Sequence, residues 1–182
     1  MTLDLLAERG AVLSGHFLLT SGKHSDVYVE KARMLEDPAL VTRLAGEIAS
    51  WYERVEAVVS PAVGAIPLGF AVAHAAGARS LFAEREDGRM TLRRGFSLSA
   101  GERTLVVEDV VTTGGSAREV WDLVREAGAE ALGVAALVDR TAAPLGFPMR
   151  AVARVEALVF APEECPLCAA GEPLAGRGSR HL

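Results

Sequence analysis

Residues 104–116 read Thr-Leu-Val-Val-Glu-Asp-Val-Val-Thr-Thr-Gly-Gly-Ser, an apolar run that meets two adjacent carboxylates and then a glycine-rich turn. Leu105, Val106 and Val107 are continuously apolar and rich in β-branching, as expected of a strand buried on both faces of a parallel sheet. The strand is expected to end at Glu108 and Asp109. Extended backbone sends adjacent side chains to opposite faces, but at a strand end followed by a turn both carboxylates can reach one small polar ligand, such as the vicinal hydroxyls of a ribose. Thr112, Thr113, Gly114, Gly115 and Ser116 then supply hydroxyl donors and a backbone free to turn its N–H groups toward an anion. Val120, Leu123, Val124 and Ala127 recur at helical spacing, so a phosphate at this turn would sit on a helix N-terminus. Residues 104–116 contain no lysine, which excludes a Walker A loop, and their glycines do not form G-x-G-x-x-G, so dinucleotide binding is not supported. The ordinary alternative is a solvated strand-to-helix turn, and the whole ordered string weighs against it.

The surrounding chain agrees with this frame. Strand-like runs at 55–60, 79–83, 103–107 and 131–138 alternate with helix-like stretches at 38–53, 65–77 and 116–128. That order predicts an α/β fold with a parallel sheet covered on both faces and ligands gathered at the carboxyl ends of its strands. At 182 residues the chain has room for a single α/β domain with a sizeable core. A net charge of −5 gives extended nucleic-acid binding little electrostatic support. No apolar run approaches a membrane span, and the opening Met-Thr-Leu-Asp has no charged n-region followed by an h-region, so a cytoplasmic protein without a membrane partner is expected. The absence of Asn and Gln, with only two lysines among 19 basic residues, points to a protein that works hot, with codon bias as a second cause.

Residues 104–116 resemble the 5-phosphoribosyl 1-diphosphate (PRPP) signature of the type I phosphoribosyltransferases, and the resemblance, running from about Gly15 to Arg140, extends to the orotate phosphoribosyltransferases. It implies a core sheet carrying a small hood built from about 1–35 and 145–170. Separately, the chain from about Gly171 onward, 171–182, reads as a flexible tail. Gly15 to Val29 resembles the amino-terminal base-binding segment, with Ser21-Gly22-Lys23 at a turn between two short strands and Tyr28 beyond it. Both lysines, Lys23 and Lys31, fall in this neighbourhood, which points to a place where a compact ammonium is wanted rather than a guanidinium. Some orotate enzymes have lysine where this chain has Thr20, and Lys23 is the candidate to supply that charge.

Val58 to Gly69 resembles the family's diphosphate loop, in which small residues around Val63 and Gly64 let backbone N–H groups approach the anion. Many orotate enzymes carry lysine at the position of Gly64. Either backbone alone holds the diphosphate here, or a cation comes from Phe82 to Phe96, which resembles a shortened catalytic flap: Asp87-Gly88 is a hairpin signal flanked by Arg85, Arg89, Arg93 and Arg94. Arg85 matches the family position best and Arg94 next, although a solvated charged hairpin balanced by Glu84, Glu86 and Asp87 is the ordinary alternative. Leu137-Val138-Asp139-Arg140-Thr141 resembles the family's strand-end Asp-Arg, whose guanidinium forks onto the carboxylate of the base. A surface salt-bridge residue is the alternative reading of Arg140.

The resemblance implies an enzyme of pyrimidine (UMP) biosynthesis that transfers the phosphoribosyl group of PRPP to orotate, with Mg²⁺ as cofactor. It assigns Glu108, Asp109 and Arg85 to catalysis, and Lys23, Tyr28, Val63, Gly64, Arg89, Arg94, Thr112, Thr113, Gly114, Gly115, Ser116 and Arg140 to substrate. A homodimer sharing its flap across the interface is implied as well. The rivals are a phosphoribosyltransferase for a purine base or uracil, and a non-catalytic PRPP-sensing regulator. Cys165-Pro166-Leu167-Cys168 is a C-x-x-C knuckle and offers half of a structural zinc site, which would need a second pair from a symmetry mate or other ligands. Free thiols in a reducing cytosol are the expectation, and no residue is assigned to a metal.

Overall fold

The computed structural model describes residues 6–19 and 21–176, so Thr20, the opening Met-Thr-Leu-Asp and residues 177–182 of the expected tail lie outside the described residues. In chain order the elements are β1 (Val12–Leu18), β2 (His24–Val29), α1 (Ala32–Leu35), α2 (Pro38–Ala49), β3 (Ala57–Pro61), α3 (Ile66–Ala76), β4 (Arg79–Glu86), β5 (Arg89–Leu92), β6 (Arg103–Val111), α4 (Gly115–Glu126), β7 (Glu130–Asp139), β8 (Met149–Arg154), β9 (Val159–Phe160), α5 (Pro166–Ala169) and β10 (Ala175–Gly176), with a 3-10 turn at Pro162–Glu164. They divide between two compact units, residues 35–154 and residues 1–34 with 155–182. The hood boundary expected near residue 145 therefore moves to Val155, because β8 pairs in parallel with β7 and belongs to the larger unit.

In the larger unit six strands run in the order β5-β4-β3-β6-β7-β8, all parallel except the β5 edge. The sheet is covered on both faces, as its sequence period requires. Val58 and Ser60 face α3, where Gly69 lies so close that a Cβ would stand 2.6 Å from Ser60 Oγ. Ala57 and Val59 turn the other way, into a cluster with Val120, Trp121 and Val124 of α4. Val58, Val59, Leu105, Val106 and Val107 are fully buried, each contributing about 1.5–3 kcal/mol of transfer free energy.

Helix α2 starts where its sequence marks a start: Asp37 accepts from the N–H groups of Ala39 and Leu40 at 3.0 and 3.1 Å, and Pro38 takes a first-turn position. It stops at Ala49, short of the expected residue 53. Trp51 and Tyr52 continue the apolar pattern but serve the turn into β3: the Arg150 guanidinium lies over the Trp51 ring at 4.7 Å, and Tyr52 Oη donates to Val134 O at 3.4 Å.

The chain reverses its direction of travel across the sheet between β3 and β6. From β3 it adds β4 and β5 on one side, and from β6 it adds β7 and β8 on the other. The carboxyl ends of β3 and β6 therefore flank a switch-point crevice, the place where open α/β sheets bind ligands.

In the smaller unit four strands run β10-β1-β2-β9. Strands β1 and β2 form the expected hairpin, closed by Gly22 N–H to Leu19 O and Leu19 N–H to Lys23 O at 2.9 and 2.8 Å. Leu6, Ala11, Phe17, Val29, Met34 and Val155 are buried here. Ala175 and Gly176 pair in parallel with Phe17 and Leu18, so the chain beyond Gly171 is still held to this sheet through Gly176.

Candidate active site

The turn from β6 into α4 is shaped by one glycine. Gly114 has φ +75°, an angle that favours glycine, and a Cβ there would stand 2.6 Å from Leu145 Cδ1, so that side chain would have to shift. It occupies the N-cap of α4 without a side-chain cap, leaving first-turn N–H groups of the helix for another acceptor. A cavity of about 80 Å³ lies against Thr112, Thr113, Gly114, Gly115 and Ser116, with Glu108 on its wall. Local geometry here matches a small-anion cradle at a helix N-terminus.

Strand β6 does not end at the carboxylates. Pairing with β7 continues to Val111 opposite Asp139, whereas pairing with β3 reaches only Val106. Glu108 and Asp109 thus lie in strand backbone that extends past the β3 ladder. Both are buried, 8% and 3% exposed, although they are acidic. Glu108 Oε1 accepts the Asp109 N–H at 3.0 Å, and Asp109 Oδ1 accepts the Val110 N–H at 2.7 Å. Local N–H groups hold each carboxylate in place.

After β3, Ala62 N–H donates to Ala83 O at 2.8 Å, the Ala62–Val63 peptide is cis, and Val63 is 80% exposed. Val63 and Gly64 thus lie in the loop leading to α3, at the carboxyl end of β3.

The arginine-rich segment is an ordered two-residue hairpin. Asp87 and Gly88 have φ +47° and +84°, and β4 and β5 pair on either side. Its cations are mostly engaged. Arg85 donates to Glu119 Oε1 of α4 at 2.8 Å and to Gly88 O, while Glu119 Oε2 accepts the Met90 N–H at 3.2 Å. Arg94 grips Glu84 with two bonds of 2.8 and 2.9 Å, and Arg93 lies 3.3 Å from Glu86. The hydrogen bond from Arg94 holds the Glu84 carboxyl below its ordinary range, and that from Arg85 does the same for Glu119. Arg89 is exposed and has no carboxylate within ion-pair distance among the described residues. In the sequence Glu84 reads only as balancing charge, and nothing around Glu119 marks it as a partner of the hairpin. A helical carboxylate aimed at a hairpin 34 residues away carries no local signal.

At the end of β7, Asp139 accepts from Arg154 Nη1 at 2.9 Å and from the Thr141 N–H at 2.7 Å, while the Arg140 N–H donates to Val111 O at 2.8 Å. Asp139 thus braces the strand end, and Arg140 is tied by backbone to the last residue of β6. The larger unit collects Glu108, Asp109, the 112–116 turn, Val63, Gly64, the flap arginines and Arg140. Lys23 and Tyr28 belong to the smaller unit: Lys23 is exposed at the β1–β2 turn, and Tyr28 packs on Phe17 with ring centroids 5.6 Å apart.

Comparison with known proteins agrees with this geometry. The phosphoribosyl transferase domain family matches residues 32–145. An orotate phosphoribosyltransferase of Thermotoga maritima is 45% identical, with all of both chains covered, and one of Desulforamulus reducens is 47% identical over 99% of this chain and 96% of its own. Among solved structures, the orotate phosphoribosyltransferase of Aeropyrum pernix superposes with a TM-score of 0.72 at 28% identity, covering 85% of this chain and 94% of that one. That of Mycobacterium tuberculosis H37Rv in complex with inorganic phosphate gives 0.63 at 30% identity, covering 84% and 93%. With a buried carboxylate pair and an anion cradle at the switch point, and with relatives matched along essentially their whole length, the chain belongs to the phosphoribosyl transferase domain family and, within it, to the orotate phosphoribosyltransferases.

Proposed function

We infer that the chain transfers the phosphoribosyl group of PRPP to orotate, giving orotidine 5′-monophosphate and diphosphate in pyrimidine biosynthesis. The observation that carries this reading is the unbroken run from Glu108 to Ser116, which sets two buried carboxylates and a glycine-turned helix N-terminus along one edge of the switch-point crevice. In the reaction the bond from the anomeric carbon to diphosphate breaks, positive charge develops at the ribose, and a ring nitrogen of orotate attacks from the opposite face. Acceleration then comes from positioning and from charges already in place.

Glu108 and Asp109 are assigned to the ribose hydroxyls, where their charge also stabilises the developing oxocarbenium. Thr112, Thr113, Gly114, Gly115 and Ser116 take the 5′-phosphate, with side-chain hydroxyls and helix N–H groups as donors. Val63 and Gly64 present backbone to the diphosphate. Arg140 forks onto the orotate carboxylate, and Lys23 and Tyr28 are assigned to the base. Arg85 and Arg94 reach the leaving group only by releasing Glu119 and Glu84, whereas Arg89 needs no such exchange.

Magnesium suits this donor set, because Glu108 and Asp109 offer hard anionic oxygens and each has already committed one oxygen to a backbone N–H. When bound, Mg²⁺ would neutralise and orient the diphosphate, with substrate oxygens and water supplying most of its ligands. The homodimer with a shared flap belongs to the same reading and rests on the family resemblance. Among the described residues, no helix is long and apolar enough to cross a membrane.

The test is depletion of free base from a panel of orotate, uracil, hypoxanthine, guanine and adenine, each with PRPP and Mg²⁺. Loss of orotate alone with diphosphate release is the expected result. Turnover of another base would overturn the specificity assigned to Arg140, and PRPP binding without turnover of any base would favour a regulator.

A further inference from the structure

Both cysteines of the chain and two of its four histidines converge in the smaller unit. One potential ligand atom from each of His16, His24, Cys165 and Cys168 lies within 4.8 Å of all the others. His16 Nε2 is 3.0 Å from His24 Nδ1, 3.5 Å from Cys165 Sγ and 3.6 Å from Cys168 Sγ, and Cys168 Sγ is 3.3 Å from His24 Nδ1. Ligand atoms on a tetrahedron with zinc–nitrogen bonds near 2.05 Å and zinc–sulfur bonds near 2.3 Å stand about 3.3–3.8 Å apart. The cluster brackets that spacing. We propose that His16 Nε2, His24 Nδ1, Cys165 Sγ and Cys168 Sγ form a structural zinc site that joins the β1–β2 hairpin to the C-x-x-C knuckle.

Tautomer logic supports a cation at the centre. His16 Nδ1 lies 2.9 Å from Glu172 O, a carbonyl that can only accept, so the ring proton sits on Nδ1. In that tautomer of the neutral ring, Nε2 aims a single lone pair at three neighbours. A hydrogen bond can satisfy one of the three, whereas a metal ion engages every atom at once. A second ring nitrogen donating to a backbone carbonyl is also how metal-bound histidines are held in orientation.

Topology explains why four distant residues meet. His16 and Leu18 lie two apart on β1 and share a face, and Leu18 stands directly opposite His24 on β2, so the histidines form a diagonal cross-strand pair. Cys165 caps the single turn of α5, which brings Cys168 round to the same side. His16, His24 and Cys165 are 4%, 5% and 3% exposed, while Cys168 lies at the surface. Two thiolates and two neutral imidazoles balance Zn²⁺, and on binding the two thiol protons pass to solvent. Sulfur donors argue against magnesium or calcium. With all four positions filled by protein, no open position remains for a reacting water, which makes the site structural. The second pair of ligands that the C-x-x-C motif lacks thus comes from the same chain, at separations of 149 and 144 residues.

The test is metal analysis of the full chain purified reduced, followed by release of the metal and refilling with Co²⁺. About one zinc per chain is expected, together with tetrahedral Co²⁺ ligand-field bands and a thiolate-to-cobalt charge-transfer band in the refilled protein. Chelation should lower the unfolding temperature of the native chain and leave that of Cys168→Ser unmoved. Cys168 is exposed, so this variant should fold; His24→Ala provides a second variant, which should lose the cobalt bands. Zinc retained at full stoichiometry in both variants would overturn the proposal. So would a metal-free reduced protein with freely titrating thiols that refuses Co²⁺, or a Cys165–Cys168 disulfide as the stable state.

Discussion

Two regions of the larger unit are suited to binding anions, and they are built in opposite ways. The 112–116 turn uses backbone: a glycine at φ +75°, an uncapped helix N-terminus, and buried carboxylates beside it held by adjacent N–H groups. The 85–94 hairpin uses long cationic side chains, exposed to solvent and paired with Glu119, Glu84 and Glu86. Preorganised backbone needs no rearrangement to receive its ligand, whereas a paired guanidinium must first exchange partners. On the proposed function, the turn would receive its anion as it stands and the hairpin only after exchanging partners.

The sharpest way to break that contrast is Asp109→Asn. The substitution keeps shape and removes charge, so turnover should fall by about 10²–10³-fold while the fold is retained, as read by steady-state kinetics beside thermal unfolding. An undiminished rate would remove the carboxylate from the reaction. Gly114→Ala comes next. It forces a Cβ into the left-handed region and against Leu145, and should cost about 1–3 kcal/mol in denaturant unfolding together with weaker PRPP binding.

Arg85→Ala and Arg89→Ala, compared in parallel, sharpen the hairpin side. If Arg85 leaves Glu119 to meet diphosphate, its loss should lower kcat about 10-fold or more, while loss of Arg89 mainly raises KM for PRPP. The reverse pattern would transfer the catalytic role to Arg89. The smallest effect concerns pH. Bonding to Arg85 depresses the Glu119 carboxyl in the folded chain, so the clamp it provides is fully present above the ordinary glutamate range and is lost as pH falls through the lowered folded value. Hydrogen exchange at the Met90 N–H should accordingly lose protection as pH falls below the ordinary glutamate range, beyond the intrinsic pH trend, and Glu119→Gln should abolish that step. The exposed setting of the pair keeps the effect on global stability slight.

Sequence legibility follows the same division. The alternation of strand and helix, the start of α2 at residue 38, the Asp87-Gly88 turn and the Glu108 to Ser116 run were all readable, because each is encoded by residues within one turn or one strand. Where α2 ends was not, since Trp51 and Tyr52 carry a helical pattern but are recruited by Arg150 and by the backbone of β7. Nor was the length of β6, which depends on how far β7 runs beside it.

By itself the sequence determined the fold class and the glycine turn that opens α4, because a glycine at a required backbone angle and a buried apolar strand are local demands of steric fit and water exclusion. Tertiary structure alone decided which acid neutralises which arginine, that Asp139 braces Arg154 and Thr141, and that His16 and His24 stand against Cys165 and Cys168. Those pairings join residues far apart in the chain, and strand register and chain crossing set their distances, which no spacing along the sequence records.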